Sequence, residues 1–81
     1  MKFIATFYSH FGATVFRKDC QAVGVTAKPM PVPRDLSSSC GTCVMYDSES
    51  YCPIDAVPED VEQIVMVLEN GYQCCYKATD S

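Results

Sequence analysis

Two cysteines three residues apart stand in the polar segment Ser37-Ser38-Ser39-Cys40-Gly41-Thr42-Cys43. A thiol does chemistry as a thiolate, which needs donors or positive charge nearby to bring its pKa below about 8.5. Around Cys40 the sequence offers both. Gly41 lets the backbone turn and aim amides at sulfur, Ser37 to Ser39 bring hydroxyl donors, and Arg34 is a fixed positive charge suited to an anion. A C-x-x-C pair also suits thiol–disulfide exchange or half of a metal site. A tetrahedral zinc site needs two more ligands. Cys52 with His10 or Cys74 could supply them, at spacings that match no familiar Cys/His pattern. A thioredoxin-like site places its first cysteine at a helix start, whereas this pair leads into a strand. A Ser/Pro turn with incidental thiols is the remaining alternative.

The other cysteines read differently. Cys20 falls on the apolar side of a helix, where a small core residue is expected. Cys74 and Cys75 point to opposite faces if their segment is a strand, so at least one is core. His10, near a helix start, reads as a solvated cap residue or a proton donor beside the loop. The acidic run Asp55 to Glu62 reads as a solvated helix start.

These residues need a frame. Lys2 to Tyr8 alternates as a strand, with Phe3, Ala5 and Phe7 on one side. Ser9 is a good N-cap. From His10 to Val23 the residues Ala13, Phe16, Cys20 and Val23 share one helical face, and Gly24 follows where a left-handed residue is wanted. Val25 to Met30 is a second strand, confined to an edge by Pro29. Pro31 to Ser39 is loop, and Thr42 to Asp47 a third strand. Pro58 to Asn70 reads as a second helix, because Val57, Val61, Ile64, Val65 and Leu68 follow helical spacing and Glu59, Asp60 and Glu62 suit its dipole. Gly71 ends it, and Tyr72 to Lys77 is the last strand. The order βαββαβ predicts an α+β, ferredoxin-like fold: a four-stranded antiparallel sheet with two helices on one face. Right-handed crossovers then make strands one and two parallel, and three and four parallel but reversed. Ser9-His10, Arg34 to Cys43 and Asn70-Gly71 are expected at one end of the sheet.

Composition narrows the function. Eighty-one residues make a single domain over 1–81 with a thin core, since a chain this short buries only about 60% of its unfolded surface. The net charge of -4 argues against nucleic-acid and anionic-membrane binding, both of which need clustered positive charge. No apolar run approaches the roughly 18 residues of a membrane span. The start, Met1 to His10, turns polar too early for a signal peptide, so a cytoplasmic location with reduced thiols is expected. No general base pair, phosphate loop or triad is present, so turnover of an organic substrate is not expected and no cofactor is called for.

At the Cys40 loop the sequence acquires a likeness. Met30-Pro31-Val32-Pro33-Arg34, followed by Leu36-Ser37-Ser38-Ser39-Cys40-Gly41, resembles the signature of the selenium/sulfur carrier protein-like family of small bacterial proteins. The likeness extends to Phe7, Ser9, Ala13, Gly24 and the segment read as the second helix. Members of that family stand alone or joined to TusA-like domains in selenium metabolism, so the resemblance implies a carrier domain with Cys40, Gly41, Arg34 and Pro33 in its signature. Cys52-Pro53 is also similar to the Cys-Pro-x-Pro nucleophile of TusA-type carriers, but Asp55 stands where the second proline belongs.

The expectation is therefore a carrier of sulfur or selenium. Cys40 takes the atom as a persulfide or selenopersulfide from a cysteine desulfurase or selenium donor and passes it to an acceptor enzyme. Arg34, Ser39, Gly41 and His10 hold the anion. Cys43 resolves it, leaving a Cys40–Cys43 disulfide. The exposed edge of so small a sheet makes a homodimer plausible. Two rivals stand beside this reading: a metal-binding module built on Cys40, Cys43 and two further thiols, and a protein-interaction module.

Overall fold

Strand β1 (Lys2–Phe7) forms where the sequence alternates, and it is apolar on both sides because it runs through the middle of a sheet. A computed structural model describes residues 1–78. Helix α1 (His10–Ala22) follows, then β2 (Ala27–Pro31), β3 (Thr42–Asp47), β4 (Val61–Leu68) and β5 (Gly71–Lys77). The five strands lie in the order β2-β3-β1-β4-β5, and every neighbouring pair is antiparallel.

The α+β class holds, but the four-stranded, two-helix form does not. Residues 58–70 are not helical: Val61 to Leu68 form a strand that pairs with β1, Ile64 opposite Ala5 and Met66 opposite Phe3. The register slips between Thr6 and Phe7, so that Thr6 faces Gln63, Phe7 faces Val61, and Glu62 is left unopposed. That bulge hides the strand alternation and mimics helical spacing. Once past it, Ile64 and Met66 face one side and Val65 and Val67 the other. The segment is rich in β-branched residues, which pack well on a pleated surface. The supposed helix end Asn70-Gly71 instead belongs to a hairpin, with Leu68 paired to Gly71.

The predicted directions hold for the first three strands, but Tyr72 to Lys77, expected to run with β3, runs with β1 instead. β1 and β2 run one way, β3 and β4 the other, with β3 lying between β1 and β2. The fourth strand is β4, however, and β5 is added outside it as a second edge. The opposite edge, β2, carries Pro29 and Pro31 as its position requires. Between β3 and β4 an irregular segment crosses the sheet, and its Ile54 and Val57 pack where a second helix was expected.

The main core lies between the sheet and α1. Ala13, Phe16 and Cys20 of the helix pack on Phe3, Ala5, Phe7, Val44, Tyr46, Val61 and Ile64. Three aromatic pairs close it: Phe3–Tyr46 at 5.5 Å, Phe7–Phe16 at 5.4 Å and Phe16–Tyr46 at 5.3 Å between ring centroids. Such pairs add to the value of the buried area itself. On the other face Ile4, Cys43 and Val65 are buried beneath Val32 and Leu36 of the loop after β2, with Met30, Met45, Val67 and Tyr72 around them. No helix among the described residues is long and apolar enough to cross a membrane.

Candidate functional site

The end of β1 turns into α1 through Ser9, and the loop before β3 folds against that turn. Ser9 caps the helix, its hydroxyl accepting from the Gly12 amide at 3.1 Å and donating to Asp60 Oδ2 at 2.6 Å. The Tyr8 amide donates to the Asp60 carbonyl at 3.0 Å. Asp60, the residue before β4, thus seats its carboxylate on the helix start, where the free amides favour an anion. A side chain on Gly12 has no room there: a Cβ would lie 1.7 Å from Asp60 Oδ2.

Cys40 packs half-buried on the helix-side core. Its thiol donates to the Thr42 carbonyl at 3.4 Å, and Ser38 Oγ lies 3.9 Å from Sγ. Ser38 gives its own proton to the Phe7 carbonyl at 3.2 Å, so it donates nothing to sulfur, whose single proton is engaged by Thr42. Gly41 takes the left-handed conformation, φ +76°, that the turn demands. Its carbonyl accepts from the Val32 amide at 3.2 Å.

His10, the first residue of α1, reaches the same turn: its Nδ1 is 2.9 Å from Thr42 Oγ1. Ser9-His10 and the Ser38–Thr42 turn are therefore neighbours, as the topology predicts. Asn70-Gly71 is not among them. The β4–β5 hairpin lies at the far end of β1, since Met66 faces Phe3 while Gln63 faces Thr6, and it borders a surface depression with Asp35 instead.

Ser39 turns away from Cys40. Its amide donates to Glu62 Oε1 at 3.0 Å and its hydroxyl to Glu62 Oε2 at 2.9 Å. Arg34 is exposed in a turn closed by the Leu36 amide on the Pro33 carbonyl at 3.0 Å, and it makes no hydrogen bond or ion pair among the described residues.

Cys43 occupies a different environment from Cys40. It is fully buried on the opposite face of the sheet, opposite Thr6 of β1 and Met30 of β2. Its thiol donates to the Pro31 carbonyl at 3.7 Å. Burial, with a smaller contribution from the charge of Cys40, pushes its pKa up to about 11. Cys20 is raised to about 11 by burial, then by Asp19 and Cys52. Cys52 donates to the Ile54 carbonyl at 3.2 Å, Cys74 is exposed, and Cys75 packs half-buried on the main core. Among the described residues no group of three or more His, Cys, Asp or Glu side chains is placed to hold a metal ion.

Sequence reasoning missed Thr42, Asp60 and Glu62, and it reads Ser38 as a donor to sulfur although its proton goes to the Phe7 carbonyl. The two acids sit in the stretch read as a helix start. The usable signal was the pair of acids just before a β-branched run, at the mouth of a strand.

Comparison with known proteins gives the chain relatives. The family model described as "Putative Se/S carrier protein-like" matches residues 2–72. The uncharacterized protein YtiA of Escherichia coli (strain K12) is 30% identical over 73 residues, covering 90% of this chain and 78% of its own length. No solved structure matches. With a match that runs from β1 into β5 and takes in the whole Cys40 turn, the chain belongs to the Se/S carrier protein-like family.

Proposed function

We propose that this protein carries sulfur or selenium on Cys40 between a donor and an acceptor protein. The observation that carries the reading is the position of that thiol. It is half-buried at a sheet end, in a turn held by His10, Gly41 and Glu62, in a chain whose family is named for such carriage. Loading is a transfer between sulfur atoms. Cys40, deprotonated, attacks the outer sulfur of a donor persulfide; a new S–S bond forms at Cys40, the donor's S–S bond breaks, and the donor leaves as a thiolate. The Cys40 proton goes to solvent. Selenium moves by the same exchange. Unloading repeats the step, the acceptor's nucleophile attacking the outer atom and Cys40 leaving as thiolate, so no external oxidant or reductant is consumed.

In the arrangement described, neither hydrogen-bond partner of the Cys40 sulfur donates to it. Holding a persulfide anion calls for the Ser39 and Gly41 amides to turn toward it, with Arg34 free to approach. Cys43 acts as a resolving thiol only if the turn opens, because it is buried on the other face and held protonated. Its attack would join Cys40 to Cys43 and release the cargo as sulfide, two thiols being oxidised and the sulfane sulfur reduced.

The test is intact mass after incubation with a cysteine desulfurase and cysteine. An added mass of one sulfur atom is expected in the native protein and not in Cys40→Ser. No adduct, or an equal one in Cys40→Ser, overturns the reading.

A further inference from the structure

Glu62 stands apart from the other acidic side chains. It is the unopposed residue of the β4 bulge, and bulges re-aim a side chain out of the strand pattern. Its side chain leaves the strand to take both donors of Ser39, one on each carboxylate oxygen, 3.0 and 2.9 Å away. Its backbone carbonyl accepts from Ala78 at 3.0 Å, which ties the bulge to the end of β5. Among the described residues no cation pairs with it, and the hydrogen bonds its side chain accepts come from Ser39.

We infer that Glu62 is the positioning residue of the Cys40 turn: by holding the amide and hydroxyl of Ser39 it keeps the next residue's sulfur facing the core. Four fasteners act on the Ser38–Thr42 turn: the Ser38 hydroxyl on the Phe7 carbonyl, the Val32 amide on the Gly41 carbonyl, His10 on Thr42, and Glu62 on Ser39. The Glu62 fastener is the only charge-assisted and two-pronged one, and such bonds are the strong ones. It also engages the residue immediately before Cys40. While it holds, Sγ points inward, its proton on the Thr42 carbonyl, and the Ser39 amide is withheld from any anion at sulfur. Release of Glu62 frees both donors and lets the thiol turn outward. A donor or acceptor protein presenting a cation to Glu62 would release it in just that way. The significance of the device rests on Cys40 being the carrier thiol; its existence does not.

The test reads the thiol directly, as the rate of iodoacetamide labelling at each cysteine resolved by peptide mass. Glu62→Ala is expected to label roughly threefold to tenfold faster at Cys40, the change that loss of one or two net hydrogen bonds would give. Glu62→Gln, which keeps a carbonyl acceptor for Ser39, falls between it and the native protein. Ser39→Ala raises the rate in a background with Glu62 and adds nothing to Glu62→Ala, because the two share one interaction. The exposed Cys74 serves as internal control and is expected to label at an unchanged rate. An unaltered or slower rate at Cys40 overturns the inference. So does an equal rise at Cys74, which would mean general loosening, or additivity of the two substitutions. No sulfur donor enters the measurement, so its failure is distinct from failure of the carrier reading.

Discussion

Cys40 and Cys43, three residues apart, live in opposite worlds. One rests half-buried in a polar turn; the other is sealed in the far face of the sheet with its pKa raised to about 11 by burial. At pH 8 that leaves roughly one Cys43 in a thousand as thiolate. In the folded protein, iodoacetamide is therefore expected to label Cys74 first, Cys40 later and Cys43 only as the sheet opens. Labelling of Cys43 as fast as Cys74 would contradict its buried place. The thiol and a backbone turn at Gly41 were legible in local sequence. The fact that Ser38 rather than Ser39 lies beside sulfur was not, because Ser39 is claimed by an acid 23 positions away. Gly41→Ala has open space for its Cβ, so only backbone strain is at stake; a loss of about 1–2 kcal/mol is expected by urea denaturation.

At the scale of elements, the first strand and helix follow directly from alternation, an N-cap serine and a helical apolar face. Tyr72 to Lys77 is the strand expected, but residues 58–70 depart from the expected helix because a five-residue apolar run, Ile64 to Leu68, fits a helix stripe as well as a buried strand. A bulge at Glu62 then broke the strand period at the point where it would have declared itself. What decides for the strand is tertiary: β1 has two edges to fill, and β4 supplies the second. The same element brings Asp60 to the start of α1, with a checkable consequence. Glycine to alanine inside a helix ordinarily gains up to about 1 kcal/mol. Gly12→Ala is expected to lose stability instead, since the new methyl displaces Asp60 and breaks its bond to Ser9. In an Asp60→Ala background the ordinary gain should return. Urea midpoints of the four proteins decide this, and a stabilised Gly12→Ala alone would contradict the packing.

For the whole molecule, one α-helix on a five-stranded sheet leaves two buried thiols in a thin core. Their pKa values lie near 11 in the fold against 9 when exposed, and burial also raises that of Tyr46. The folded state therefore holds these protons more tightly than the unfolded chain. Stability contributed in this way is complete below pH 9 and is lost as pH rises toward 11, each thiol accounting for roughly 2–3 kcal/mol. A melting temperature that falls steeply over that range is expected, and one that stays flat would contradict the burial. The fold buries Cys20 and Cys43, leaves Cys74 exposed, and sets Cys40, the thiol proposed to carry sulfur, at a sheet end beside a helix start. The most direct test of that claim is peptide mapping of the native protein after loading from a desulfurase. The added sulfur is expected on the peptide holding Cys40, and its recovery on Cys74, Cys75 or Cys52 instead would contradict the assignment.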